Sequence, residues 1–207
     1  TYSIYKDPKL EKSGVGELIG QERLRFDAKS MDVYSRSREP HFIKTHAYYD
    51  GGVSWIPDDR SPVVYIIRDG RAAYVSYAHY LCDIEGIFGS FDEVLDDLIG
   101  GVGMWGGWGN HARKWLTRPG RPPTAVVRYE DLLTHPYRTV EYSLRKIDMT
   151  FALCEGFMPT FEMLHEKWPK FFRSGSADAW RNEMSVEHSG KFWSANTAMM
   201  ERFGYVR

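Results

Sequence analysis

The chain reads as an α/β protein, a parallel sheet between helical layers. Two apolar, β-branched runs, at residues 63–67 and 124–129, each read as a strand. Each is followed by a stretch with helical signals, and this alternation is that of βαβ units. The first run stops abruptly at Arg68-Asp69-Gly70, at the end of a strand where open α/β sheets gather their ligands. With 207 residues, no internal repeat and no visible linker, the chain suits a single domain over 1–207 with a substantial core.

In chain order, residues 1–40 are polar and mixed in charge, and they read as short helical turns and loops without a strand. Phe42-Ile43-Lys44-Thr45-His46 reads as a short strand. The period of two puts Lys44 and His46 on one face, a cation beside a base. Residues 48–62 are a loop carrying Tyr48, Tyr49 and Trp55. After the strand at 63–67, Asp69 is a helix cap and a helix is predicted over 70–81. Asp69, Ala72, Ala73 and Ser76 share a face of it, and the small alanines would let a ligand approach closely. Arg68, the helix N-terminus and the Ser76 hydroxyl together make an anion site.

Phe91, Val94, Leu95, Leu98 and Ile99 have helical spacing, and the acids between them form a solvated face. Residues 100–109 are glycine-rich, with Trp105 and Trp108, but lack the Lys-Ser/Thr of a phosphate loop. A helix follows around 110–115. Pro122-Pro123 breaks the chain before the strand at 124–129, and Pro136 starts a helix through about 147. Phe171-Phe172-Arg173-Ser174-Gly175 offers a second arginine on a flexible backbone, and residues 185–204 read as a helix ending at Gly204.

The formal net charge of −1, with acids and bases mixed, argues against general nucleic-acid binding. Two cysteines, Cys82 and Cys154, imply no disulfide framework and no metal pair; both read as buried thiols. No metal site is expected. No stretch is long and apolar enough to span a membrane and no signal peptide is visible, so the expected location is cytoplasmic. The sequence leaves the oligomeric state open.

Four motifs in order resemble the sulfotransferases that use 3′-phosphoadenosine-5′-phosphosulfate (PAPS). These are Lys44-Thr45-His46, Arg68 with Ser76 eight residues on, Tyr129-Glu130-Asp131, and Arg173-Ser174-Gly175 followed by Trp180. The resemblance covers roughly residues 41–207. It implies a P-loop-kinase-like fold, PAPS as donor and its bisphosphate (PAP) as product, a small-molecule or carbohydrate hydroxyl as acceptor, and no metal.

By the same resemblance His46 is the general base and Lys44 meets the leaving group. Arg68, Ser76 and Arg173, with Phe172, Ser174 and Gly175 in the same loop, grip the 3′-phosphate side. Tyr129, Thr160 and Phe161 lie at the adenine. Tyr48, Tyr49, Trp55 and His111 are acceptor contacts or packing residues. The family holds the 5′-phosphosulfate in a Pro-Lys-Ser-Gly-Thr-Thr-Trp loop that follows an apolar strand. Lys12-Ser13-Gly14-Val15-Gly16 has neither that strand nor the paired hydroxyls and Trp, and reads as a solvated turn. The resemblance then implies that the loop and its helix precede residue 1 and that the domain is N-terminally incomplete. The competing expectation is a nucleotide-binding or scaffold domain of the same fold without turnover.

Overall fold

The computed structural model describes residues 2–5, 36, 42–46, 49, 61–87, 89–102, 106–120, 123–150 and 159–207. It divides into two compact units, 1–58 and 59–207. Lys12-Ser13-Gly14, Tyr48, Trp55, Trp105 and Cys154 lie outside the described residues.

In the first unit, β1 (Tyr2–Tyr5) pairs antiparallel with β2 (Phe42–Thr45), with Tyr2 opposite Thr45 and Ser3 opposite Lys44. The strand at β2 agrees with the sequence, whereas β1 corrects the expectation that residues 1–40 hold no strand. Four residues are too few to show a period of two. Tyr and Ile favour a pleated surface, but the partner that stabilises them lies far along the chain.

In the second unit, β3 (Val63–Ile67) and β4 (Thr124–Arg128) pair in parallel, from Val63 opposite Thr124 to Ile67 opposite Arg128. A parallel pair requires a long crossover. Here it runs through α1 (Gly70–Asp83), α2 (Phe91–Ile99) and α3 (Trp108–Leu116). After β4 come α4 (Tyr129–Thr134), α5 (Pro136–Lys146), α6 (Phe161–Lys167), α7 (Trp180–Glu183) and α8 (Val186–Arg202).

The sheet has helices on both faces. Ile67 packs with Ala112 of α3 and with Phe192 and Met200 of α8. Ala125, on the opposite face by register, packs with Leu144 and Ile147 at α5. A third cluster joins Ala72, Val75 and Ala78 of α1 to Val94, Leu95 and Leu98 of α2, with Trp180 and Met184. Ala72 therefore belongs to the core and is not an open ligand face. Nor is β3 buried throughout, since Ile66 is 57% exposed. The helix on that face, α5, packs against β4 instead.

Local chemistry sets the helix ends. The Asp69 carboxylate accepts from the backbone N–H of Arg71 and so caps α1, as its sequence position predicts. Ser90 and Glu93 form a reciprocal capping box on α2. Gly70 allows close approach, because a Cβ there would overlap the rings of Phe192 and Trp108.

Candidate functional site

The carboxyl ends of β3 and β4 bring several polar groups together. The Arg68 guanidinium lies 4.8 Å from the centre of the Tyr129 ring. One terminal nitrogen, Nη2, donates to the carbonyl of Ser176 at 3.2 Å, tying Arg68 to the loop that carries Arg173. Its Nε is buried and has no hydrogen-bond partner among the described residues. A buried guanidinium N–H without an acceptor costs free energy, and an anionic oxygen would satisfy it.

The backbone behind Arg68 is held by a dense network. Asp69 N–H donates to Glu130 Oε1 at 3.2 Å, and Tyr205 O–H donates to Glu130 Oε2 at 3.1 Å. Burial pushes the Tyr205 phenol up, and the negative charge of Glu130 adds to the shift, so it stays a donor. Arg71 forms a two-point pair with Asp69, at 3.0 Å through Nε and 2.8 Å through Nη2. Nη2 also donates to the Val206 carbonyl at 2.7 Å. The Arg71 guanidinium lies 4.0 Å from the Trp180 ring centre and 5.5 Å from that of Trp193. Trp108 adds a further tie, its indole N–H donating to the Arg68 carbonyl at 3.1 Å.

The Arg173 loop is built differently. Arg173 Nη2 donates to Glu183 Oε1 at 2.7 Å. The other carboxylate oxygen, Oε2, is 2.6 Å from Nε2 of His79, and His79 Nδ1 is 3.2 Å from Asp83. Burial pushes the Glu183 carboxyl up, but the Arg173 bond, then the His79 bond and the attraction of both outweigh it. The carboxyl is held below its ordinary range. Gly175 adopts φ +61, and a Cβ there would lie 2.7 Å from the Phe161 ring, so Phe161 rests directly on the loop backbone. Phe161 also stacks on His165, whose Nδ1 is 2.6 Å from the Phe172 carbonyl.

Of the residues singled out from sequence, Arg68, Tyr129, Phe161, Phe172, Arg173, Ser174 and Gly175 thus belong to one connected region. Thr160 is the cap of α6, accepting from Met163 N–H at 3.3 Å. Ser76 is exposed on α1. Three residues further along the same helix face is His79, which leads through Glu183 to Arg173. Lys44 lies within β2 and His46 follows it, exposed, in the first unit. Tyr49 is buried there. His111 accepts from or donates to the Tyr65 hydroxyl through Nδ1 at 2.8 Å. The thiol of Cys82 is half-buried.

Sequence reasoning passed over His79, Glu183 and Arg71. The spacing of His79 from Ser76 was a usable signal. For Glu183 there was none, because its partner Arg173 is reached across a loop. Among the described residues no group of His, Cys, Asp and Glu is arranged to hold a metal ion. No helix among them is long and apolar enough to cross a membrane.

This is an α/β protein with its polar groups gathered at the carboxyl ends of parallel strands. A family model described as a sulfotransferase domain matches residues 8–152, more than half of the chain. The chain belongs to the sulfotransferase family. It is 23% identical over 210 residues to Sulfotransferase 1B1 of Mus musculus, covering 90% of this chain and 67% of that one. Against Sulfotransferase 1B1 of Canis lupus familiaris it is 23% identical, covering 78% and 62%. The chain thus spans about two thirds of the length of these relatives.

In fold it resembles mouse sulfotransferase SULT7A1 complexed with PAP, with a TM-score of 0.61 at 17% identity over 79% of this chain and 68% of that one. It also resembles retinol dehydratase in complex with androsterone and inactive cofactor PAP, with a TM-score of 0.55 at 16% identity over 70% and 49%. The family-model match includes Lys44, His46, Arg68, Ser76 and Tyr129, while Arg173 lies beyond it.

Proposed function

We propose that the protein transfers a sulfuryl group from PAPS to the hydroxyl of a small-molecule or carbohydrate acceptor. The observation that carries this reading is Arg68. Its Nε is buried without an acceptor, Tyr129 lies against its guanidinium, and its Nη2 holds the loop of a second arginine. That is a frame for a phosphate beside an aromatic base. The two similar folds were solved with PAP, one of them also with androsterone, which supports a bisphosphate nucleotide and a small hydroxylated acceptor.

PAPS supplies an activated sulfuryl group. Arg68 and Arg173 bind its 3′-phosphate with Ser76, through charge-assisted bonds that a bare 3′-hydroxyl would not draw. Tyr129 and Phe161 orient the adenine, with Thr160 beside them, and Phe172, Ser174 and Gly175 shape the loop. His46 takes the proton of the acceptor hydroxyl, since imidazole titrates near neutrality and an alcohol is a poor nucleophile unaided. The Lys44 ammonium offsets negative charge gathering on the leaving bisphosphate. This chemistry asks for no metal.

The test is transfer from radiolabelled PAPS to a panel of phenols, steroids and sugars, beside titration with PAP. His46→Ala should lower turnover on the order of 10²–10⁴-fold and leave PAP affinity unchanged. Wild-type turnover in that variant removes His46 from the reaction. PAP binding with no transfer to any acceptor would favour the nucleotide-binding or scaffold reading instead.

A further inference from the structure

Resting on the reading that Arg173 binds a 3′-phosphate, we propose that Glu183 is an internal anion that occupies Arg173 in its place and so sets the affinity for 3′-phosphorylated nucleotides. The geometry is that of an exchangeable partner. Glu183 meets Arg173 through Oε1 alone, at 2.7 Å, and the pair is half-exposed, with 34% of the arginine side chain and 23% of the glutamate accessible. Its Oε2 has a separate partner, His79 Nε2 at 2.6 Å. Asp83 stands 3.2 Å from the other ring nitrogen of that histidine. When Arg173 turns to a phosphate, His79 keeps the carboxylate, so no charge is left without a partner. A phosphate dianion presents more charge and more acceptor oxygens than one carboxylate oxygen and can displace it. The competition weakens binding of donor and product alike, which speeds release of the bisphosphate, a step that limits turnover in many enzymes.

Glu183 and His79 therefore act in opposite directions on Arg173. Removing the carboxylate frees Arg173 and removes a repulsion. Removing His79 leaves the carboxylate to Arg173 alone. The experiment is calorimetric titration of the whole chain with PAP and with adenosine 5′-phosphate, which lacks the 3′-phosphate.

Glu183→Gln should bind PAP about tenfold more tightly, equal to about 1.4 kcal/mol, with adenosine 5′-phosphate affinity unchanged. His79→Ala should bind PAP more weakly than wild type. In an Arg173→Ala background, Glu183→Gln should gain nothing. If Glu183→Gln fails to fold, the His79→Ala shift carries the test. Unchanged or weaker PAP binding in Glu183→Gln, or an unchanged or tighter one in His79→Ala, overturns the inference while a loss in Arg173→Ala leaves the phosphate reading standing. Equal PAP affinity in Arg173→Ala and wild type, or no PAP binding by either, sinks both.

Discussion

Arg71 and Arg173 are each paired with a carboxylate near the same strand ends, yet the two pairs serve different ends. Arg71 and Asp69 meet at two points, with side-chain exposures of 2% and 11%, and the Arg71 guanidinium lies near two tryptophan rings. Arg173 and Glu183 meet at one point and are half-exposed. A buried pair cannot separate without stranding a charge away from water. A partly exposed pair can do so more readily, because water takes up what the partner gives away. The first arginine therefore fixes the shape of the strand end, and the second is held less firmly. Arg68 combines the two conditions, with one nitrogen anchored and another buried without a partner among the described residues.

The largest effect should come from the buried pair. Arg71→Met should lower stability by about 3–5 kcal/mol, because it leaves Asp69 buried with its charge partner gone. Arg173→Met should cost under about 1 kcal/mol. Urea unfolding of both variants measures the difference, and equal losses would mean that the two pairs are equally needed for stability.

Arg68→Ala should weaken PAP binding by about 1.5–3 kcal/mol, the range of a bond to a charged group. Titration checks this, and an unchanged affinity would place the anion elsewhere. Gly175→Ala would set a Cβ 2.7 Å from the Phe161 ring at φ +61. It should destabilise by about 1–3 kcal/mol if the loop is firmly seated on Phe161. A smaller loss would sharpen the contrast by showing that the Arg173 loop gives way.

The smallest effect concerns acid. The Glu183 carboxyl is lowered in the folded protein from an ordinary value of 4.5. Its contribution is present above that value and is lost as pH falls through the folded-state value below it. Stability measured from pH 6 down to about pH 3 should therefore fall slightly more steeply in wild type than in Glu183→Gln. Parallel curves would mean the pair contributes nothing.

Much of the second unit was legible because its signals are local. Asp69 caps the helix that follows it, and Pro136 opens α5 as proline does. The helix expected over 70–81 runs over Gly70–Asp83. Tyr129 was expected in a strand and instead begins α4, a shift of one residue at a boundary. The strand β1 was not legible, since its stability depends on a partner near residue 43.

The site divides in the same way. Arg68, Tyr129 and the Arg173 loop were visible as motifs. The pairing of Arg173 with Glu183 was not, because it is a contact between a loop and a four-residue helix. Nor does the small size of Ala72 reveal that α2 covers it.

The bond from Arg71 to the Val206 carbonyl spans 135 residues, and that from Tyr205 to Glu130 spans 75. Synthesis is vectorial, and contacts this distant in sequence form only after the loop between them is closed. The strand end behind Arg68 therefore cannot be completed while Tyr205 and Val206 are still inside the ribosome. Until then Arg71 and Glu130 each wait without one of their partners. The nascent chain therefore carries this strand end with its charged groups still short of their final partners.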